Sequence, residues 1–183
     1  RKKMSLDINE IVYGTVARFD PNKDHKNLIK CINRLKDSGL KFRYLLVGEN
    51  MDNSNIIICD LIKKNNLEDI VTLVGKENDI TSVMNALDLH ILSSKSEAFP
   101  VVVLESIACG TPCISTNVGD AIEFIGDSGW VVNTSDHNAI AKLIMDINLD
   151  KNILRIKSKI ARKRVEDFYP IEKMINKYEK LYR

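Results

Sequence analysis

Long apolar runs are missing from this sequence. No stretch approaches the roughly 18 residues that a membrane-crossing helix needs, which excludes a helical spanning protein. Cysteine is scarce: the four thiols, Cys31, Cys59, Cys109 and Cys113, show no paired secretory spacing,. Cys109 and Cys113 have no second pair or neighbouring histidine to complete a zinc site, so reduced, buried thiols are the expectation. With only four prolines and eight glycines, the chain is neither collagenous nor of low complexity. Familiar chemical signatures are absent as well. There is no G-x-G-x-x-G after the first strand-like run, no G-x-x-x-x-G-K-[ST], no G-x-S-x-G and no H-E-x-x-H. The basic start Arg1-Lys2-Lys3 leads into no signal-like apolar stretch, so export is not expected. The first residue is not Met, and a longer parent chain is expected.

What is present reads as an ordinary globular chain of 183 residues, 44% hydrophobic and 28% charged, enough for one domain with a sizeable core. The net charge of +2 is unevenly placed. Lys151–Arg183 carries 11 Lys and Arg against 4 acids, for +7; the first three residues add +3, and Met4–Asp150 carries −8. An acidic body argues against nucleic acid as a partner. The basic end suits an anionic membrane surface or a protein partner, and a solvated pair of helices explains it as well.

Short β-rich runs alternate with longer stretches of helical period. The strand-like runs are Ile11–Ala17, Tyr44–Gly48, Val71–Val74, Leu89–Leu92, Cys113–Thr116 and Trp130–Val132, apolar on both faces as strands covered on both sides are. Helical patterns lie between them: Leu28-Ile29-Ile32-Leu35, Ile56–Ile62, Ile80–Leu87, Val101–Ala108 and Ile140–Ile147. This order implies an α/β fold, a doubly wound, mostly parallel six-stranded Rossmann-like sheet with helices on both faces. A strand-helix body over about 10–150 is followed by two C-terminal helices over about 151–183, the second opened by Pro170. Such folds bind ligands at the carboxyl ends of their strands.

The segment Ser93–Glu105 stands where a buried strand gives way to a helix. Pro100 suits the first helical turn, and the amides of Val101, Val102 and Val103 would be unpaired at the positive end of the helix, a place for an anion such as phosphate. Glu97 precedes the helix. Glu105 interrupts an apolar run on a helix expected to be buried almost all round, where a carboxylate needs donors such as vicinal sugar hydroxyls. Ordinary readings compete: a dipole contact for Glu97, partial exposure or a lysine partner for Glu105. The three histidines, His25, His90 and His137, are scattered, and structural roles are expected for them.

Ser94-x-x-Glu97-x-Phe99-Pro100-Val101-x-x-Leu104-Glu105-Ser106-x-Ala108-x-Gly110-x-Pro112 resembles the signature of retaining glycosyltransferases with the GT-B fold, the group 1 or family 4 enzymes. Val16-Ala17-Arg18-Phe19, Pro21-x-Lys23, Tyr44–Gly48, Val71-x-Leu73-x-Gly75, Ala86-x-Asp88 and Thr116-x-Val118-Gly119 resemble the family's other motifs, in order. The resemblance implies that Arg18 and Lys23 hold the donor's diphosphate. It also implies that Glu97, with Ser94, Phe99, Pro100 and the amides of Val101 and Val102, holds the hexose and phosphate. Glu105 would take the ribose, and the base would lie near Gly75 and Lys76. Ala98, Pro100, Asp24 and Asp120 stand at positions where glycine is usual in the family pattern, proline being a frequent variant at Pro100.

The same resemblance implies a nucleotide sugar, UDP- or GDP-linked, as substrate, with neither cofactor nor metal, and a saccharide or lipid-linked acceptor bound by an N-terminal domain that is not in this sequence. The chain would then be an excised C-terminal donor-binding domain or one subunit of a split enzyme, inactive alone. It would be cytoplasmic, with peripheral membrane contact at most. Rival readings are a phosphorylase or sucrose-synthase-like enzyme, a non-catalytic nucleotide-sugar-binding subunit, and a receiver-like doubly wound domain.

Overall fold

The computed structural model describes residues 1–4 and 6–182. Six strands form one parallel sheet in the order β3-β2-β1-β4-β5-β6: β1 (Val12–Val16), β2 (Arg43–Val47), β3 (Val71–Gly75), β4 (Leu89–Leu92), β5 (Cys113–Thr116) and β6 (Trp130–Val132). The helices are α1 (His25–Asp37), α2 (Ile56–Lys64), α3 (Ile80–Ala86), α4 (Val101–Ala108), α5 (Ala121–Ile125), α6 (His137–Leu149), α7 (Lys151–Phe168) and α8 (Ile171–Leu181). The short α5 has no counterpart in the periodicity, because five residues are too few to show one. Arg183, included in the expected C-terminal helices, lies outside the described residues.

The alternation of side chains along a strand explains the layers. Tyr13, Tyr44 and Leu46 point to one face and pack with Leu28, Ile32, Ile58 and Ile144 of α1, α2 and α6. Val12, Val16, Leu45 and Val47 point to the other and meet Val83 and Met84 of α3. Farther along that second side, Leu92 and Cys113 meet Val103, Ile107 and Phe124 of α4 and α5, with Ala161 of α7 behind them. The central strands β1 and β4 are buried throughout, while the edge strand β6 is only half-buried. Cys31 and Cys113 are buried as expected, but Cys59 and Cys109 are only partly so, and all four are free thiols.

The structure corrects one expectation, at α4. Only Val103, Ser106 and Ile107 of α4 are buried; Glu105 is exposed. The apolar run does not mean burial all round, since Val101 is 51% exposed on the face that Glu105 shares one turn later,. In α8, begun by Pro170, no residue is buried, and Ile171, Met174, Ile175 and Tyr178 form an exposed apolar stripe.

Candidate active site

The strand order reverses direction between β1 and β4, so the doubly wound sheet has its switch point there,. The loops leaving the carboxyl ends of those two strands form the lips of a crevice. The β1 lip carries Arg18 and then a 3₁₀ turn, Pro21–Lys23, capped by the Asp20 carboxylate, which accepts from Asn22 N at 2.8 Å. That bond and the adjacent Arg18 hold the Asp20 carboxyl below its usual range. The β4 lip carries Ser93, Ser94, Lys95 and Glu97 before Pro100 caps α4.

The lips are stitched together. Lys95 N donates to Asn22 O at 2.6 Å, and Ser93 Oγ donates to Lys23 O at 2.9 Å. Their product is an ion pair between Lys23 Nζ and Glu97 Oε1, with side chains only 19% and 15% exposed. Ser94 Oγ donates to the same oxygen at 2.6 Å, which leaves Glu97 Oε2 without a partner among the described residues. Ser94 itself is fully buried, its carbonyl held by Thr116 Oγ1 at 2.6 Å. Lys23, Ser94 and Glu97 are therefore brought together, 74 positions apart in the chain for the outermost two.

Arg18 is different. Its side chain is 66% exposed and its ion pair, at 3.3 Å, is with its near neighbour Asp20. Phe99 is 56% exposed, its ring edge-on to Phe124 at 4.8 Å. Of the three amides expected to be unpaired, two have acceptors: Val101 N donates to Phe99 O at 2.8 Å and Val103 N to Pro100 O at 2.9 Å. A tight turn closes on itself before the helix begins, so Val102 alone of the three fits the expectation. Gly75 ends β3, two strands from β1 or about 10 Å at the usual spacing,; its φ of +78° turns the chain away, and Lys76 beyond it is exposed. Asp88 is at the opposite end of the sheet, accepting from Val12 N at 2.8 Å and paired with Arg1.

Several supporting residues escaped the sequence. Asp24, in the left-handed conformation at φ +51°, holds that strained turn with a buried carboxylate 3.3 Å from Lys95 Nζ, and it accepts from Ser135 Oγ at 3.0 Å. The departure from glycine at this position was the available signal. Gly119, at φ +47°, lets the β5–α5 loop pass so close that a Cβ there would lie 2.4 Å from Ala98 O and 2.7 Å from Glu97 O. His25 begins α1, stacked on Phe19 at 5.3 Å; burial, with Lys23 nearby, pulls its pKa down to about 4. A pocket lined by Phe19, Asp24, His25, Ile57, Leu61 and Lys95 opens on the far flank of the β1 lip, and none of Arg18, Lys23, Glu97 or Glu105 lines it. Among the described residues no group of three or more His, Cys, Asp or Glu side chains is gathered as a metal site would require. Among the described residues no helix is long and apolar enough to cross a membrane.

A family model described as glycosyl transferases group 1 matches residues 1–164. Over its whole length the chain is 28% identical to an N-acetyl-alpha-D-glucosaminyl L-malate synthase of Bacillus anthracis, covering 48% of that protein. It is 25% identical, over 99% of its length, to a UDP-Gal:alpha-D-GlcNAc-diphosphoundecaprenol alpha-1,3-galactosyltransferase of Escherichia coli, covering 47% of it. A sucrose-phosphate synthase structure from Thermosynechococcus elongatus superposes with a TM-score of 0.88 at 29% identity, over all of this chain and 47% of that one. The chain spans about half the length of the curated relatives it matches.

Proposed function

Because the chain belongs to the glycosyl transferases group 1 family, we propose that it is the donor-binding half of a retaining glycosyltransferase. It would move a hexose or N-acetylhexosamine from a nucleotide sugar to a growing polysaccharide or lipid-linked acceptor. One observation carries the reading: Lys23 and Glu97 meet across the switch-point crevice, a fixed cation and a fixed carboxylate held by loops from different strands, where sheets of this kind take ligands.

In this reading Lys23 and Arg18 face the diphosphate. Breaking the bond between sugar and phosphate leaves negative charge on the departing nucleoside diphosphate, and positive groups already in place lower that barrier most. Lys23 is such a group; Arg18 would swing in. Glu97 offers its unpartnered Oε2 to a sugar hydroxyl while Oε1 stays with Lys23 and Ser94, tying sugar and phosphate recognition to one carboxylate. Glu105, exposed on the same helical face as Val101, would accept from the ribose hydroxyls. The base would lie over Gly75 and Lys76, at the end of a strand two places from β1.

The donor is proposed to be a UDP-sugar, a class that the E. coli relative's name contains; a GDP-sugar is the second candidate. Transfer is proposed to proceed with retention and without a metal, the cations of the crevice neutralising the phosphates. The acceptor would be bound by a companion domain, and the isolated chain would bind donor but transfer nothing, because the reacting atoms meet only when two halves close. A cytoplasmic location with peripheral membrane contact belongs to the same proposal. Sucrose-type transfer is the second reading, favoured by the close superposition on sucrose-phosphate synthase.

The test is thermal stabilisation across nucleoside diphosphates and nucleotide sugars. A ligand at 100 times its dissociation constant adds about 2.7 kcal/mol, so binders stand out. No stabilisation by any of them, with a folded protein, would overturn the donor-binding reading.

A further inference from the structure

We propose that Thr15 and His90 form a buried polar wedge that holds β1 and β4 apart at the mouth of the crevice, and so sets the spacing at which the two lips take a diphosphate. The inference rests on the donor-binding reading above.

The ladder between β1 and β2 runs through five pairs, from Val12↔Arg43 to Val16↔Val47. The ladder between β1 and β4 has two, Tyr13↔Leu89 and Gly14↔His90. Beyond Gly14, side chains take the place of backbone bonds. Thr15 Oγ1 donates to Ile91 O at 2.8 Å, and Val16 N donates to His90 Nε2 at 3.3 Å. Each strand meanwhile keeps its outer neighbour, Val16 with Val47 and Leu92 with Ser115. The parting is therefore confined to the switch point.

Donor counting fixes the rest of the network. The Thr15 hydroxyl has one proton, given to Ile91 O, so it accepts from Tyr44 Oη at 2.7 Å,. The His90 Nε2 accepts from a backbone N–H, so it is bare and Nδ1 carries the proton, aimed at Cys113 Sγ at 3.4 Å,. Thr15, Tyr44, His90 and Cys113 are all at most 1% exposed. No solvent stands in if one member is lost, and the orphaned partner must find a bond elsewhere. The readiest route is for β1 and β4 to close into a regular ladder. Arg18 follows Val16 by two positions and Ser93 follows Leu92 directly, so any closure is passed straight to both lips. Thr15 and His90 are thus positioning residues, out of reach of the donor.

The experiment titrates the wild type and the variants Thr15→Val, Thr15→Ser, His90→Leu and His90→Gln with uridine and guanosine diphosphates, each beside its nucleoside. Thr15→Val and His90→Leu should weaken the bound diphosphate about tenfold or more, the scale expected when groups are displaced by a fraction of an ångström, and leave its nucleoside nearly unchanged. Thr15→Ser keeps the hydroxyl, and His90→Gln keeps an acceptor near Nε2; both should restore diphosphate binding. Folded Val and Leu variants that bind like the wild type would overturn the wedge. So would equal losses for nucleoside and diphosphate, tracking the melting temperature, which a merely structural role predicts. If His90→Leu does not fold, nitrogen NMR of wild-type His90 decides: a proton on Nδ1 supports the wedge, and one on Nε2 overturns it. A wild type that binds none of the four ligands removes the donor-binding reading itself, whereas wild-type binding with indifferent variants removes only the wedge.

Discussion

Two sets of charged residues are proposed to face the donor, and in only one of them do the members touch each other. Lys23 and Glu97 are four-fifths buried and touching, drawn together by loops that Ser93, Lys95 and Asn22 bind to one another. Arg18 and Glu105 are exposed, Arg18 holding only its near neighbour Asp20. In the donor-binding proposal the inner pair is fixed before any ligand arrives, and the outer pair has to be recruited. An exposed charge loses side-chain entropy when it is ordered and is screened by salt. A charge already ordered by the fold avoids most of that cost, and the inner pair should therefore dominate phosphate and sugar recognition.

The broadest way to break the comparison is to remove the floor under both pairs. Burial lowers the pKa of His25 to about 4 and that of His90 to about 3. Unfolded, both would titrate near 6.5, so the unfolded chain binds protons first. Their stabilisation is full above about pH 6.5 and declines as the pH falls toward 4 and below, each unit of pKa separation corresponding to about 1.4 kcal/mol. Denaturant melts between pH 7.5 and 4.5 should show a steady loss of stability. A flat profile would mean that neither ring is buried neutral.

Next in size is Lys23→Ala. Nucleoside diphosphate affinity should fall by about 1.5–3 kcal/mol, the range for a charge-assisted hydrogen bond, with little change for the bare nucleoside. Calorimetric titration of both ligands checks this, and equal losses would remove Lys23 from the phosphates. Gly119→Ala probes the inner pair through its backbone: the new Cβ meets Ala98 O and Glu97 O below 3.0 Å, at a positive φ. Stability should drop by about 1–3 kcal/mol, and nucleotide-sugar affinity should fall with it. A neutral melting curve would show that the two loops can part freely.

The smallest effects belong to the outer pair. Glu105→Gln should weaken nucleoside and nucleotide alike by about 1 kcal/mol, the value of an ordinary hydrogen bond, with no loss of melting temperature since the side chain is exposed. Arg18→Ala should cost less than Lys23→Ala, and its contribution should fade more steeply as salt rises. If Arg18 proves the stronger of the two cations at every salt concentration, the distinction between a fixed and a recruited pair is wrong.

Local chemistry explains what could be read directly. Runs such as Leu89–Leu92 and Cys113–Thr116 coincide with β4 and β5, and Val101–Ala108 with α4, because each period is set by residues within one element. Asp136 caps α6 by accepting from Ala139 N at 2.9 Å, and His137 follows it, a start signal contained in four residues. The motif around Ser94, Glu97 and Glu105 resembled the family that the whole chain belongs to.

Glu105 differs from the expected burial for a physical reason: an apolar run does not reveal which of its faces is covered, and here Val101 and Glu105 share an exposed face. The free amides at α4 failed similarly, since a turn as tight as Phe99–Val103 satisfies its own donors.

By itself the sequence determined the order of strands and helices, the switch-point topology that follows from it, and which residue types stand at the strand ends. All of these depend on neighbours a few positions apart and on the handedness of strand-helix-strand crossovers. Only the tertiary structure decided that Lys23 and Glu97 touch while Arg18 stays exposed beside Asp20, that Asp24 and Gly119 hold the loops, and that Thr15 and His90 bond across β1 and β4. Apart from Arg18, those facts depend on contacts between groups far apart in the chain, 74 positions for Lys23 and Glu97 and 111 for Asp24 and Ser135. A linear pattern carries the identities of such groups but not their separations in space, and burial, which converts a weak surface attraction into a fixed one, exists only after the chain has closed around them.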